Sequence, residues 1–158
     1  MEFHLEGKRV IVTAGAAGIG RAIVGALVGA GARVHACDVD EGALARLPRE
    51  VAGVTTTPCD VADPTAVDRL FAEGAARLGG LDALVNNAGI AGPTAAVDAI
   101  EPAEWNRTIA VNLSGQFYCA RRAVPLLKAA GGGAIVNISS AAGRFGFPLR
   151  SPYAASKW

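Results

Sequence analysis

The chain has 158 residues, about the length of one ordinary domain, and 51% of them are hydrophobic while 18% are charged, which is typical of a soluble globular protein. Its 15 basic and 14 acidic side chains are scattered along the sequence and leave a net charge of +1, so we expect neither a nucleic-acid partner nor a membrane partner. The first six residues do not resemble a secretion signal, and Arg21 interrupts the most apolar stretch; we expect a cytoplasmic protein.

Short β-branched runs alternate with helical patterns along the whole sequence. Strands are predicted at residues 8–13, 33–37, 54–57, 81–85 and 134–138. Helices are predicted around residues 23–28 and over 41–47, 64–78 and 102 to about 128. Asp63 and Pro64 are expected as the N-cap and first residue of the third helix, and glycines separate helix from strand at 79–80 and 131–133.

This alternation predicts one parallel sheet covered by helices on both faces, a doubly wound α/β fold of three layers. No linker or repeat divides the sequence, so we expect a single domain over residues 1–158. Ligands of such sheets bind at the carboxyl ends of the strands, where the strand order reverses. The unusual residues of the chain follow predicted strand ends: Gly15, Gly18 and Gly20, Asp38, Asp60, residues 86–89, and Ser139 and Ser140.

Residues 13–20, TAGAAGIG, lie between the first predicted strand and helix. Glycines at Gly15, Gly18 and Gly20 would let backbone N–H groups approach a pyrophosphate at the helix N-terminus. Asp38 lies twenty positions beyond Gly18, where an acidic residue is expected to accept hydrogen bonds from ribose hydroxyls. Its carboxylate would repel the 2′-phosphate of NADP(H), and no Arg or Lys immediately follows it, so NAD(H) is the preferred cofactor and NADP(H) the less favoured one.

The cysteines and histidines offer no competing chemistry. Cys37, Cys59 and Cys119 form no CxxC pair and have no histidine at metal-ligand spacing, so we expect buried thiols in a reducing compartment and no metal site. His4 precedes the first predicted strand and His35 lies inside the second. Both histidines are expected to be structural or solvated.

Several further motifs follow in a characteristic order. They are Asp60-Val61, Asn86-Asn87-Ala88-Gly89, Asn112 in VNLSG, Ser140 in IVNISS, and Tyr153-Ala154-Ala155-Ser156-Lys157. Together with TAGAAGIG, they resemble the motifs of the short-chain dehydrogenase/reductase family in order and spacing, from the first strand to the last residue. The resemblance implies a Rossmann fold, a nicotinamide cofactor, and interconversion of an alcohol and a carbonyl compound as the activity.

The resemblance also implies roles for individual residues. Tyr153 would act as acid and base on the substrate oxygen, and Ser140 would hydrogen-bond the same oxygen. Lys157, one helical turn from Tyr153, would favour the phenolate and bind the nicotinamide ribose. Asn112 would hold a water that links Lys157 to solvent.

The implied cofactor contacts cover the rest of the motifs. Gly15, Gly18, Ile19 and Gly20 would hold the pyrophosphate, and Asp38 the adenosine ribose. Asp60 and Val61 would contact the adenine. The ribose and nicotinamide side of the cofactor would be contacted by Asn87, Ala88, Gly89, Tyr153 and Lys157.

Two departures from the family pattern stand out. Ala14 occupies the first glycine position of the turn, which we expect to tune cofactor affinity. The sequence ends at Trp158, one residue after Lys157, so we expect an incomplete polypeptide that lacks the carboxyl-terminal strands of the fold. A parent protein that is a homodimer or homotetramer is implied, because the long helices of relatives form subunit interfaces.

The substrate is left open. Phe145, Phe147, Pro148 and Leu149 could form an apolar wall, with Arg144 and Arg150 as polar handles. A secondary alcohol, a sugar or a 3-oxoacyl thioester would each fit such a pocket. The alternatives to an alcohol dehydrogenase are a 3-oxoacyl-thioester reductase of the same family and a non-catalytic nucleotide-binding fragment.

Overall fold

The computed structural model describes residues 4–158, in which five strands form one parallel sheet. The strands are β1 (Arg9–Thr13), β2 (Arg33–Asp38), β3 (Thr55–Pro58), β4 (Ala83–Asn86) and β5 (Ala134–Asn137). Their order across the sheet is β3-β2-β1-β4-β5. The chain therefore builds outwards from β1 in one direction and then from β4 in the other, which confirms the doubly wound α/β fold and places the switch point between β1 and β4.

Within residues 4–158, six α-helices connect and flank the strands. They are α1 (Gly18–Gly29), α2 (Glu41–Glu50), α3 (Pro64–Leu78), α4 (Pro102–Ile109), α5 (Gly115–Ala129) and α6 (Ser151–Lys157). The Asp63 side chain accepts a hydrogen bond from the Thr65 amide and Pro64 is the first residue of α3, as the sequence predicts. No helix among residues 4–158 has the length and apolar character needed to cross a membrane.

Alternate residues of β1 face two separate hydrophobic cores. Val10 and Val12 pack with Val24 of α1 and Leu47 of α2, whereas Ile11 belongs to the core formed with α3 and α5. All these side chains are at most 2% exposed, and successive side chains of a strand point to opposite faces. The sheet is thus the middle of three layers, as predicted.

The predicted single helix from residue 102 to about 128 is wrong in one respect. Residues Ala110–Ser114 form a π-helical segment between α4 and α5, where the hydrogen bonds skip one more residue than in an α-helix. The local sequence AVNLS carries no glycine or proline that would signal the change. The segment contains Asn112, whose buried side chain bonds a distant loop, so a tertiary contact accompanies the irregular backbone.

An ion pair joins the beginnings of β1 and β4. Nε and Nη2 of Arg9 donate to the two carboxylate oxygens of Asp82 at 2.8 and 2.9 Å, and Nη1 donates to the Gly79 carbonyl. The guanidinium thus presents its Nε–Nη2 edge to the carboxylate in the two-bond geometry that arginine favours. This pair holds the pKa of Asp82 well below its usual range.

His35 lies in the interior, where the sequence predicts a structural or solvated residue. Its two ring nitrogens bond the hydroxyls of Thr55 at 2.7 Å and Thr57 at 3.1 Å, and the residue has no exposed surface. Burial lowers the pKa of His35 to about 4, and the nearby charge of Arg77 adds to the effect. The imidazole is therefore neutral at pH 7 and has a structural role.

We predict that the protein loses stability between pH 7 and pH 5 because of His35. The unfolded chain binds a proton near pH 6.5 while the folded chain does not, so the free energy of unfolding falls by about 2 kcal/mol from this residue. Urea unfolding of the wild type and of His35→Asn at both pH values measures the effect. His4→Asn, which alters an exposed histidine, is the control; an equal pH dependence in wild type and His35→Asn would contradict the prediction.

Candidate active site

The glycine-rich turn joins β1 to α1 at the switch point of the sheet. Gly18 has a φ of +53°, a conformation that favours glycine. A Cβ at Gly20 would overlap the Ala14 carbonyl oxygen, and one at Gly15 would lie 2.9 Å from Cβ of Ala36. The three predicted glycines are therefore required by backbone shape or by close packing, and they leave the N-terminus of α1 uncovered by side chains.

A hydroxyl and an amide lock this turn to the end of β4. The Thr13 hydroxyl accepts hydrogen bonds from the amides of Asn87 and Ala88, both at 3.0 Å. The Asn87 side chain donates to the carbonyls of Thr13 and Ala14, again at 3.0 Å. Both amide hydrogens of Asn87 are thus used inside the protein, where they hold the turn against the segment 86–89, and a contact of Asn87 with a cofactor stays a prediction.

One cleft, which we call the Asp38 cleft, opens on the β2 side of this junction. It measures about 170 Å³ and its walls include Asp38, Asp60, Val61, Ala88 and Gly89. The structure thus brings Asp38, Asp60 and Val61, which the sequence assigns to the adenosine, beside Ala88 and Gly89, which it assigns to the ribose and nicotinamide side. They come from the end of β2 and from the loops after β3 and β4.

The two aspartates of the Asp38 cleft are held in different ways. Asp38 accepts hydrogen bonds from the amides of Ala16 at 3.1 Å and Val39 at 2.8 Å. Asp60 accepts one from the Ala62 amide at 3.0 Å and forms an ion pair with Arg107 at 2.9 Å. Asp38 therefore connects the end of β2 to the glycine-rich turn while its carboxylate lines the cleft.

A second cleft, the Tyr153 cleft, lies on the β5 side of the junction. It measures about 370 Å³, and its walls include Ile19, Asn87, Ser140, Tyr153 and Lys157. Gly89 and Ile90 line both clefts. The two clefts therefore adjoin at these residues, and we refer to the pair together as the groove at the carboxyl ends of the strands.

Lys157 is buried beside Tyr153. Its ammonium lies 6.0 Å from the centre of the Tyr153 ring and donates to the Ile138 carbonyl at 2.8 Å, and the residue is only 8% exposed. Burial lowers the pKa of Lys157, and the opposing influence is that of Tyr153. The structure thus places the ammonium beside the phenol ring, as the four-residue spacing predicts.

The side chain of Asn112 forms three hydrogen bonds to the protein. Its Oδ1 accepts from the Ile90 amide at 2.8 Å, and its Nδ2 donates to the Ile90 carbonyl and to the Ser156 hydroxyl, both at 2.9 Å. Ser156 in turn donates to the Tyr153 carbonyl at 2.8 Å. Asn112 thus links the loop after β4 to α6, and its role in holding a water stays a prediction.

Ser140 caps the short helix Ala141–Gly143, where its Oγ accepts a hydrogen bond from the Ala142 amide at 3.2 Å. The hydroxyl hydrogen of Ser140 has no acceptor among residues 4–158. The neighbouring Ser139 donates to the Lys157 carbonyl at 2.8 Å. Of the two serines, Ser140 is therefore the one that can donate to a ligand oxygen in the Tyr153 cleft.

Thr13, Ile90 and Arg107 are among the residues of the site that lie outside the predicted set. Thr13 is the first residue of TAGAAGIG and the last of β1, so its position in the motif could have identified it as a site residue. Ile90 follows the predicted segment 86–89, and its backbone, not its side chain, bonds Asn112. Arg107 offers no sequence signal, because its pairing with Asp60 depends on how α4 packs.

Comparison with known proteins agrees with this geometry. Residues 8–158 match the model of a family described as short chain dehydrogenase. The chain belongs to the short-chain dehydrogenase family. The family resemblance of the sequence is thereby confirmed.

Curated relatives in this family differ in substrate. A 2-dehydro-3-deoxy-L-rhamnonate dehydrogenase (NAD(+)) from a Sphingomonas species is 38% identical over 96% of the chain and 61% of the relative. A 3beta-hydroxysteroid dehydrogenase from Mediterraneibacter gnavus is 42% identical over 95% of the chain and 55% of the relative. A D-threitol dehydrogenase from Mycolicibacterium smegmatis is 37% identical over 99% and 62%. The chain thus spans about three fifths of the length of these short-chain dehydrogenases.

The departure at Ala14 generates a prediction. Ala14 has a φ of +49°, where a Cβ is strained and glycine is not. We expect Ala14→Gly to raise the free energy of unfolding by about 0.5–1 kcal/mol, since relief of strain exceeds the added entropy of the unfolded chain.

Chemical denaturation measures this change, and Ala17→Gly is the control. Ala17 lies in the same turn with an ordinary φ of −143°, so its replacement by glycine should not stabilise the protein. Equal losses of stability in both variants would refute the explanation by strain.

Proposed function

We propose that the whole protein is an NAD(H)-dependent oxidoreductase that interconverts an alcohol and a ketone by hydride transfer, with Tyr153 as acid and base. One observation carries the proposal: the Asp38 cleft and the Tyr153 cleft share Gly89 and Ile90. A dinucleotide laid along this groove would have its adenosine beside Asp38 and its nicotinamide beside Tyr153, with the pyrophosphate at the N-terminus of α1 between them.

The residues present fit such a dinucleotide. The glycines of the turn leave the N-terminus of α1 open, and at Gly18 no protein atom lies within 4 Å of where a Cβ would be. Asp38, Asp60 and Val61 line the cleft proposed for the adenosine. When bound, the nicotinamide supplies or accepts the hydride.

The side chains of the Tyr153 cleft would carry out the proton transfer that accompanies hydride transfer. In ketone reduction the Tyr153 hydroxyl donates its proton to the carbonyl oxygen, and in alcohol oxidation the phenolate takes the proton back. Ser140 donates a hydrogen bond to the same oxygen and holds it in place. Lys157 stabilises the phenolate and binds the nicotinamide ribose, while Asn112 supports α6 and a water-linked path to solvent.

Asp38 supports NAD(H) over NADP(H) as the cofactor. Two backbone amides of its own turn and the Ala16 amide fix the carboxylate at the cleft wall. A 2′-phosphate at this position would face a fixed like charge, whereas ribose hydroxyls would find an acceptor. A 3-oxoacyl-thioester reductase that uses NADPH is disfavoured for the same reason.

Exposed apolar side chains support an oligomeric whole protein. On α4, α5 and the π segment between them, Trp105 is 39% exposed, Leu113 52% and Phe117 62%. Large apolar groups on neighbouring turns are typical of a surface that is covered by another protein. We propose a homodimer or homotetramer through these helices, located in the cytoplasm, where its three buried cysteines stay reduced.

The cofactor preference is testable at Asp38. We expect the whole protein to bind NADH roughly 10- to 100-fold more tightly than NADPH, the difference that one or two charged hydrogen bonds provide. Asp38→Ala reduces this difference in affinity, mostly by weakening the binding of NADH. Fluorescence titration with both cofactors measures the ratio.

Asp38→Asn serves as a companion because it removes the charge but keeps an acceptor for the turn amides. Asp38→Asn should reduce the difference in affinity between NADH and NADPH mainly by strengthening the binding of NADPH. A ratio unchanged in both variants would mean that Asp38 only shapes the turn.

The role of Tyr153 is testable by removing one hydroxyl. We expect Tyr153→Phe to retain folding and NADH binding but to lose turnover by about 100- to 10,000-fold, the usual contribution of general acid–base catalysis. Lys157→Met should lose turnover and also weaken NADH binding, because it removes a ribose contact. Steady-state rates with a panel of ketones and alcohols, beside cofactor titrations, separate the two effects.

Tyr118→Phe is the matched control, since the chain has two tyrosines and Tyr118 lies on α5 away from both clefts. Near-normal turnover in Tyr153→Phe would overturn the mechanism. A wild type that binds NADH but converts nothing in the panel would favour the non-catalytic alternative.

A further inference from the structure

We propose that Arg150 binds a carboxylate group of the substrate, so that the compound interconverted is a hydroxy acid and its oxo acid. The inference deepens the function proposed above and rests on it. It starts from the hydrogen bonds of one guanidinium in the wall of the Tyr153 cleft.

One edge of the Arg150 guanidinium has no partner among residues 4–158. Nη1 donates to the Thr94 hydroxyl, whereas Nε is buried without an acceptor and no bond is formed by Nη2. A buried donor without an acceptor is costly. Because Nε is covered by the protein, Nη2 is the donor that a ligand oxygen can reach.

Nη2 of Arg150 can donate a charge-assisted hydrogen bond. Such a bond is shorter and stronger when its acceptor is a carboxylate oxygen than when the acceptor is a neutral hydroxyl or amide oxygen. A carboxylate is therefore the acceptor that this guanidinium favours.

The guanidinium is held in position within the Tyr153 cleft. It lies 5.9 Å from the ring centre of Phe147 and 5.8 Å from that of Tyr153. Leu149, the preceding residue, has a φ of +60°, and its carbonyl accepts a hydrogen bond from the Ala95 amide at 3.0 Å. A non-glycine residue in this conformation is strained and persists only where surrounding contacts hold it.

The charges of the cleft favour an anion. Its lining contains Arg150 and Lys157 and, within the part of the chain described here, no aspartate or glutamate. Because Arg150 lies against the ring of Tyr153, a carboxylate bound to it would belong to the molecule whose oxygen meets the phenol. Arg144, the other predicted polar handle, is exposed and does not line the cleft.

The test compares matched acids and amides. The whole protein with NAD⁺ is given 4-hydroxycyclohexanecarboxylate and 3-hydroxybutyrate, each beside its primary carboxamide, which keeps the shape and removes the charge. We expect kcat/KM to be about 10- to 100-fold higher for the acids, as for a hydrogen-bonded charge pair. Arg150→Met abolishes this preference, mainly through the KM of the acids, and Arg150→Lys retains part of it.

Arg144→Met is the control and should keep the wild-type preference. A second arm needs no turnover: binding of cyclohexanecarboxylate and of its carboxamide to the protein–NADH complex is titrated by NADH fluorescence. Wild type should bind the acid about 10-fold or more tightly than the amide, and Arg150→Met should bind both alike.

The outcomes separate the two proposals. If no alcohol is oxidised, the proposed function fails, and the binding arm alone decides the role of Arg150. If alcohols are oxidised but acids and amides behave alike in wild type, the carboxylate inference is overturned while the oxidoreductase stands. A loss of NADH affinity in Arg150→Met, with the acid preference intact, would assign Arg150 to the cofactor and also overturn the inference.

Discussion

The contact between the Thr13 hydroxyl and the amides of Asn87 and Ala88 is the interaction on which the site depends. It lies between β1 and β4, which are neighbours in the sheet at the point where the strand order reverses. Thr13 is 1% exposed, so these hydrogen bonds form away from competing water. Together with the Asn87 side chain, they set the distance between the glycine-rich turn and the loop after β4, and hence the width of the groove.

A second set of bonds carries this geometry to α6. The Asn112 side chain accepts a hydrogen bond from the Ile90 amide and donates one to the Ile90 carbonyl. It also donates to the Ser156 hydroxyl, which in turn donates to the Tyr153 carbonyl. The loop after β4 and the helix with Tyr153 are thereby fixed to one buried amide. The π-helical segment that contains this amide departs from regular helix, as such segments often do at functional sites.

Close packing around Lys157 completes the arrangement. A Cβ at Gly143 would overlap the Lys157 carbonyl oxygen, and one at Gly89 would lie 3.3 Å from its Nζ. Small residues therefore admit a buried cation whose protein acceptor is the Ile138 carbonyl. Burial of an ammonium is unfavourable without hydrogen bonds, and this bond satisfies one of its three N–H groups.

The sequence by itself determined the doubly wound fold and the family. The fold follows from signals that lie within short stretches of sequence: the helical and strand periods, caps such as Asp63, and the glycine-rich turn. The order of the strands and helices along the chain then determines which strand ends meet. It also placed the predicted site residues after the correct strands, although their roles stay predictions. Only the tertiary structure decided the π segment, the pairing of Asp60 with Arg107, and the different environments of Arg144 and Arg150. The physical reason is that each depends on a partner far along the chain, such as Thr94 for Arg150 or Ile90 for Asn112, and packing sets those distances.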